Sequence, residues 1–150
     1  MLNTEDPANR RVIDFFARRN ERGEPLDEPA YYPPIGRLTT HPDVLDHVWK
    51  DLGSKIPADC KRFVNGIPCV VHDRSGIILA FGWGTAYAMR LPPPEFAEAL
   101  RTKASAAQKW SGGSVTDLSV ELGPDWLFGR WGGAAEPGWV AAAYQAFDRD

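Results

Sequence analysis

Cysteine, histidine and methionine are scarce in this chain: two, three and two copies among 150 residues. The two cysteines, Cys60 and Cys69, form neither a disulfide framework nor a metal-ligand spacing. That excludes a small secreted disulfide scaffold and a cysteine-based zinc site. Long apolar runs are missing too. The stretch around 77–81 falls far short of the roughly 20 residues that span a bilayer. The N-terminus, Met1-Leu2-Asn3-Thr4-Glu5-Asp6-Pro7, is acidic and lacks the apolar core of a secretory signal. These absences set the expectation of a soluble, cytoplasmic protein without membrane contact. Neither sign of charge dominates: the net charge is −3, and no face is basic enough for strong duplex nucleic-acid binding. The chain also lacks a Gly-x-Ser-x-Gly elbow, a His-Glu-x-x-His helix and a Walker loop. Gly82, Gly84 and Gly112-Gly113 read as turns.

What remains is an ordinary globular composition, 43% apolar and 25% charged, at the length of one domain. The sequence predicts a single α+β domain over residues 1–150: an antiparallel β-meander of four to five strands packed with three to four helices. Asp6 and Pro7 open a first helix that Gly23 and Pro25 end. Val12, Ile13 and Phe16 form its apolar stripe, with Phe15 at the margin. Arg11, Arg18 and Arg22 read as a solvated face. Residues 24–40 carry Pro25, Pro29, Pro33 and Pro34, which exclude helix and favour an extended strap across the body. A short helix is expected over 42–52, capped by Thr40 and stopped by Gly53.

The middle of the chain is the most legible. Asn65-Gly66 between apolar runs is the strongest short hairpin signal. Asp73-Arg74-Ser75-Gly76 and Gly82-Trp83-Gly84-Thr85 make two further turns. Tight turns pair Val64 with Ile67, Cys60 with Val71, His72 with Ile77 and Phe81 with Ala86. One face then holds Cys60, Val64, Ile67, Cys69, Val71, Ile78, Ala80, Tyr87, Met89 and Leu91. The other holds Phe63, Val70, Ile77, Leu79, Phe81, Ala86 and Ala88, with His72 and Arg90 at one end. Both faces are apolar, so both call for cover. Cys60 and Cys69 lie diagonal at about 7–8 Å, at or beyond disulfide reach. Beyond the meander, helices are expected over 95–110 and 137–147 and a strand over 115–122. The order of elements, on 77–91 and then Phe96 to Leu100, resembles the layout of small bacterial proteins of the TfoX N-terminal and MmcQ/YjbR type. The Pro-rich strap and the Gly-Trp segment depart from it, and no residue role is carried over.

Few residues invite chemistry. His41 and His47, with Asp43 and Asp46, point to different faces of a short helix, and capping explains them better than a metal. No cofactor or metal is expected. His72 beside Asp73 and near Arg90 could bind an anion or serve as acid or base; a solvent-facing hairpin-end histidine is the plainer reading. Cys69 reads as core, and Cys60 has no activating signature. The chain is rich in tryptophan, with six. Trp83 sits at a hairpin tip. Trp126, Arg130 and Trp131 with Phe128 form either a stacking platform or cover for the second sheet face.

The functional expectation is a non-enzymatic binding or protein-interaction module whose partner is another protein or a second copy, because an uncovered apolar face needs one. The rival is a small enzyme or small-molecule binder with a pocket between the sheet and the Trp-rich segment, lined by His72, Arg90 and Tyr87. A weak nucleic-acid contact through the first helix and Arg37 is a third reading.

Overall fold

Asn65 and Gly66 reverse the chain with φ of 50° and 79°, the left-handed pair that a two-residue hairpin demands. They place Val64 opposite Ile67, as the turn chemistry predicts. Around this hairpin a computed structural model describes residues 2–30, 47–52, 55–83, 86–101, 105–106, 122–123, 125–130 and 137–148.

The elements are α1 (Pro7–Ala17), β1 (Glu28–Pro29), a π-helical turn (His47–Leu52), a 3-10 turn (Ala58–Cys60), β2 (Lys61–Val64), β3 (Ile67–Val71), β4 (Ile78–Trp83), β5 (Ala86–Arg90), α2 (Pro93–Arg101), β6 (Ser105–Ala106), β7 (Trp126–Arg130) and α3 (Pro137–Ala146). The strands form one sheet of order β1-β2-β3-β4-β5-β7-β6, antiparallel at every pairing. The α+β class with an antiparallel sheet is therefore present, with seven strands among the described residues rather than four or five. Among the described residues no helix is long and apolar enough to cross a membrane.

Several elements differ from expectation. α1 stops at Ala17, ahead of Gly23, because Asn20 organises the exit: its side chain accepts from Glu24 N and donates to Glu24 O. α2 ends at Arg101, and Ser105–Ala106 joins the sheet beside Leu127 and Phe128, so the helix expected over 95–110 is cut short. The strand expected over 115–122 lies, but for Leu122, outside the described residues, as do 31–40 of the strap and 42–46 of the second helix. Trp126–Arg130 is itself a strand, paired along β5.

The register holds one surprise. Cys69 faces Phe81 and Val70 faces Ala80, yet Val71 faces Ile78. This bulge gives β4 one extra residue and reverses which side its later residues show. Val64, Ile67, Cys69, Val71 and Ile78 share one face, as expected, but Phe81 and Ala88 join them. Ala80, Tyr87, Met89 and Leu91 move to the opposite face, with Phe63, Val70, Ile77 and Leu79. Cys60 also lies on that second face, because it belongs to the 3-10 turn rather than to β2. The third turn is shorter than expected, with Trp83 opposite Ala86; a two-residue shift leaves facing unchanged.

Each face has its own cover. Val12, Phe15 and Phe16 of α1 pack on the Phe81 face with Leu2, Leu122 and Trp126. Trp139, Val140 and Ala143 of α3, with Val48 and Trp49, pack on the Leu79 face. Arg11, Arg18 and Arg22 are exposed on the far side of α1 and its exit. Leu26 is the one large apolar side chain recorded as exposed among the described residues.

Candidate functional site

β3 ends at Val71, and the next residue enters the Asp73-Arg74-Ser75-Gly76 turn. His72 and Ile77 stay paired through a 2.8 Å bond from His72 N–H to Ile77 O, and Gly76 N–H returns to His72 O at 2.9 Å. Gly76 supplies the turn's positive φ of 71°. The His72 ring does not face solvent; its side chain has no exposed surface. Nδ1 accepts from the N–H groups of Arg74 and Ser75, both at 3.1 Å. The proton of the neutral ring is therefore on Nε2. Tyr144 of α3 lies flat against the ring, 4.1 Å between centroids and 12° between planes. The Tyr144 hydroxyl donates to Asp73 Oδ1 at 2.8 Å, and that bond raises its pKa. Arg74 Nη2 reaches Asp148 Oδ2 at 2.5 Å. Burial lowers the His72 pKa, against the raising pull of Asp73 and Asp148.

The bulge separates the two residues that sequence reasoning put together. Arg90 is placed by the register on the α1 side with Ala88, at the sheet end: its Nη2 donates to Ala8 O at 2.7 Å, and its guanidinium lies 4.8 Å over Trp126 and 5.3 Å over Phe147 at the exit of α3. His72 lies under α3, on the other side. Tyr87 is buried on the α3 side as well. Trp126 is 2% exposed and touches Phe81 at 5.3 Å, so it serves as sheet cover. Trp83 is half-buried against Phe15 at 5.7 Å, with Arg19 at 5.3 Å from its ring. Arg130 ends β7 opposite Ala86, and Trp131 lies outside the described residues.

Both cysteines are free and buried. Burial pushes the Cys60 thiol up to about 11 and the Cys69 thiol well above 9.0, so neither is a thiolate at neutral pH. A disulfide-exchange reagent at about pH 8 should label the native chain at least ~100-fold more slowly than the unfolded chain. Fast labelling of one thiol in the native state would contradict this placement.

A second feature adjoins the histidine turn. A cavity of about 710 Å³, open to solvent, lies beside β2 between Pro29 and Ala30 on one side and Asp59, Lys61, Arg62 and Asp73 on the other. Arg62 Nε is already held by Asp27 Oδ1 at 2.5 Å. Asp59 and Asp73 are exposed and Lys61 is half-buried, so charge of both signs meets the opening. Among the described residues no group of three or more His, Cys, Asp and Glu comes together as a metal site.

No protein-family model, curated protein or solved structure matches this chain. The likeness of layout to the TfoX N-terminal and MmcQ/YjbR proteins has no support from these comparisons.

Sequence reasoning singled out His72 and Asp73 but missed Tyr144, Asp148 and the cavity. Tyr144 carries one readable signal. With Trp139, Val140, Ala143 and Phe147 it falls on one helical stripe, which places a hydroxyl at the edge of an apolar face. The cavity had no signal, because residues distant in sequence (Pro29, Asp59 and Asp73) make it only once β1 pairs with β2.

Proposed function

We propose that the protein is a non-enzymatic binding module that takes a charge-bearing segment of another protein in the open cavity beside β2. The observation that carries this reading is the cavity itself, about 710 Å³ and bounded by Asp59, Lys61, Arg62 and Asp73. Small-molecule pockets are mostly apolar and enclose their ligand. An open cavity walled by both charges suits a polar polypeptide segment better, one that carries an acidic and a basic group to meet Lys61 and Asp59. The candidate nucleophiles support a role without catalysis: both thiols are held protonated by burial, and His72 Nδ1 is occupied by its own turn. The sheet supports a polar rather than an apolar contact, since helices of the chain itself lie on both faces.

Peptides selected from a random displayed library on the intact chain test the proposal. The double variant Asp59→Lys with Lys61→Glu exchanges the two charges and leaves the net charge unchanged. Selected peptides should carry both signs and bind the variant at least ~10-fold more weakly, the loss expected of about 1.4 kcal/mol at a charged rim. A selection that yields no binder, or binders indifferent to the exchange, would overturn the proposal. Sedimentation at micromolar concentration should show a monomer; a dimer broken by the same exchange would make the occupant a second copy instead.

A further inference from the structure

We propose that the end of α3 is fastened to the sheet by an acid-released latch, in which a second proton on the His72 ring opens the β3–β4 turn and frees the helix end. The geometry leaves that proton only Nδ1. This atom already accepts from the N–H groups of Arg74 and Ser75. An imidazolium would set a third N–H against those two, inside a ring environment without exposed surface. Both turn bonds must break before the cation can form. The same turn carries three attachments of the helix end: Tyr144 stacks on the ring, its hydroxyl bonds to Asp73, and Arg74 bonds to Asp148; Phe147 is held separately, packed on the Leu79 side with the Arg90 guanidinium 5.3 Å over its ring. A turn that releases His72 releases these with it. The core contacts of Trp139 and Val140 are separate, so the opening is local to the last turn of α3.

The groups facing His72 come from its own turn and from α3. From its own turn come Asp73, whose Oδ1 is 3.6 Å from Nδ1, and Arg74. From α3 and its exit come Tyr144 and Asp148, whose Oδ1 is 3.8 Å from Nε2. The two carboxylates favour a cation, Arg74 opposes it, and burial outweighs the carboxylates. Once open, the ring regains the ordinary histidine value near ~6.5. The closed form thus binds fewer protons than the open one, and acid favours opening. The open fraction should rise by up to ~10-fold for each pH unit below about 6.5.

Proton–nitrogen spectra of the full chain read the ring directly, and amide exchange reads the helix end. At about pH 7.5 the ring should be the Nε2–H form. As pH falls, the protection factor at Tyr144 should drop by at least ~10-fold relative to Val70 and Ala80, with the midpoint of the His72 titration. His72→Asn offers an acceptor near the Nδ1 position without a titrating group, and its relative protection should stay flat over the same range. A ring that titrates with the Arg74 and Ser75 amides and the helix-end protection unmoved would overturn the latch. So would an equal fall in His72→Asn. Should that variant not fold, the unmodified chain decides alone, because ring and helix end must then share one midpoint.

Discussion

Replacing Phe81 by alanine should lower the unfolding free energy by about 3–5 kcal/mol, the range for a buried aromatic truncated in a packed core. Phe81 is fully buried at the point where three elements meet. Its ring is edge-on to Phe16 of α1 at 4.8 Å and 88°. It also lies 5.8 Å from Phe15 and 5.3 Å from Trp126 of β7. These neighbours hang from two elements, α1 and β7, so none can move into the vacated space without shifting its own element. A domain of this size has about 5–15 kcal/mol of stability in all, and the variant therefore sits near the edge of folding. Urea unfolding followed by tryptophan fluorescence measures the effect as a fall in midpoint at unchanged slope. A loss under ~1 kcal/mol would mean that Phe81 does not point at α1.

Asn9→Leu, close in volume and without polar atoms, should destabilise by about 3 kcal/mol. Asn9 is completely buried in the first turns of α1. Its amide donates to Asn3 O at 2.7 Å and Gly76 O at 2.8 Å, and its carbonyl oxygen accepts from Ile78 N–H at 2.9 Å. One side chain thus ties the chain before α1 and the start of β4 to the helix. Leucine leaves the Ile78 donor buried without that acceptor, and each such orphan costs about 1–3 kcal/mol. Gly76 O loses less, because Asn3 N–H also donates to it at 3.0 Å. Asn9→Asp separates packing from hydrogen bonding. It keeps the acceptor for Ile78 but aims a carboxylate at two carbonyls, so burial and those oxygens should raise its folded pKa above the unfolded value near ~3.9. With the folded value the higher one, stability is retained in acid and lost as pH rises through it. The aspartate variant should therefore be more stable at about pH 4 than at pH 7, when the pH dependence of the unmodified chain is subtracted. Equal stability of Asn9→Leu and the unmodified chain would remove Asn9 from its place in the interior.

The tight hairpin was legible because Asn65-Gly66 admits few other backbones, and the helix starts were legible through Asp6-Pro7 and Pro137. That both sheet faces are apolar was legible too. The bulge between Val70 and Val71 was not. Ile77, Ile78, Leu79, Ala80 and Phe81 are all apolar, so sliding one residue leaves no polar side chain on the wrong side to expose the error. The consequence falls on the site: an unbulged β4 puts His72 and Arg90 on one face, while the actual one gives His72 to Tyr144 and Arg90 to Trp126 and Phe147. Asn9 was hidden for a different reason. A polar residue in the first turns of a helix reads as a surface position, and its partners at Gly76 and Ile78 are nearly seventy residues away. β7 was masked by its own composition, since tryptophan beside glycine carries no alternation over Trp126–Arg130.

Contacts between aromatic rings, measured in an equimolar mixture of isotope-labelled and unlabelled chains, test most directly whether this sheet is closed on both sides by its own helices. Phe16 to Phe81 on one side and Tyr144 to His72 on the other should appear within labelled chains only. Either contact missing, or found between labelled and unlabelled chains, would mean that one face is covered by a companion molecule rather than by α1 or α3.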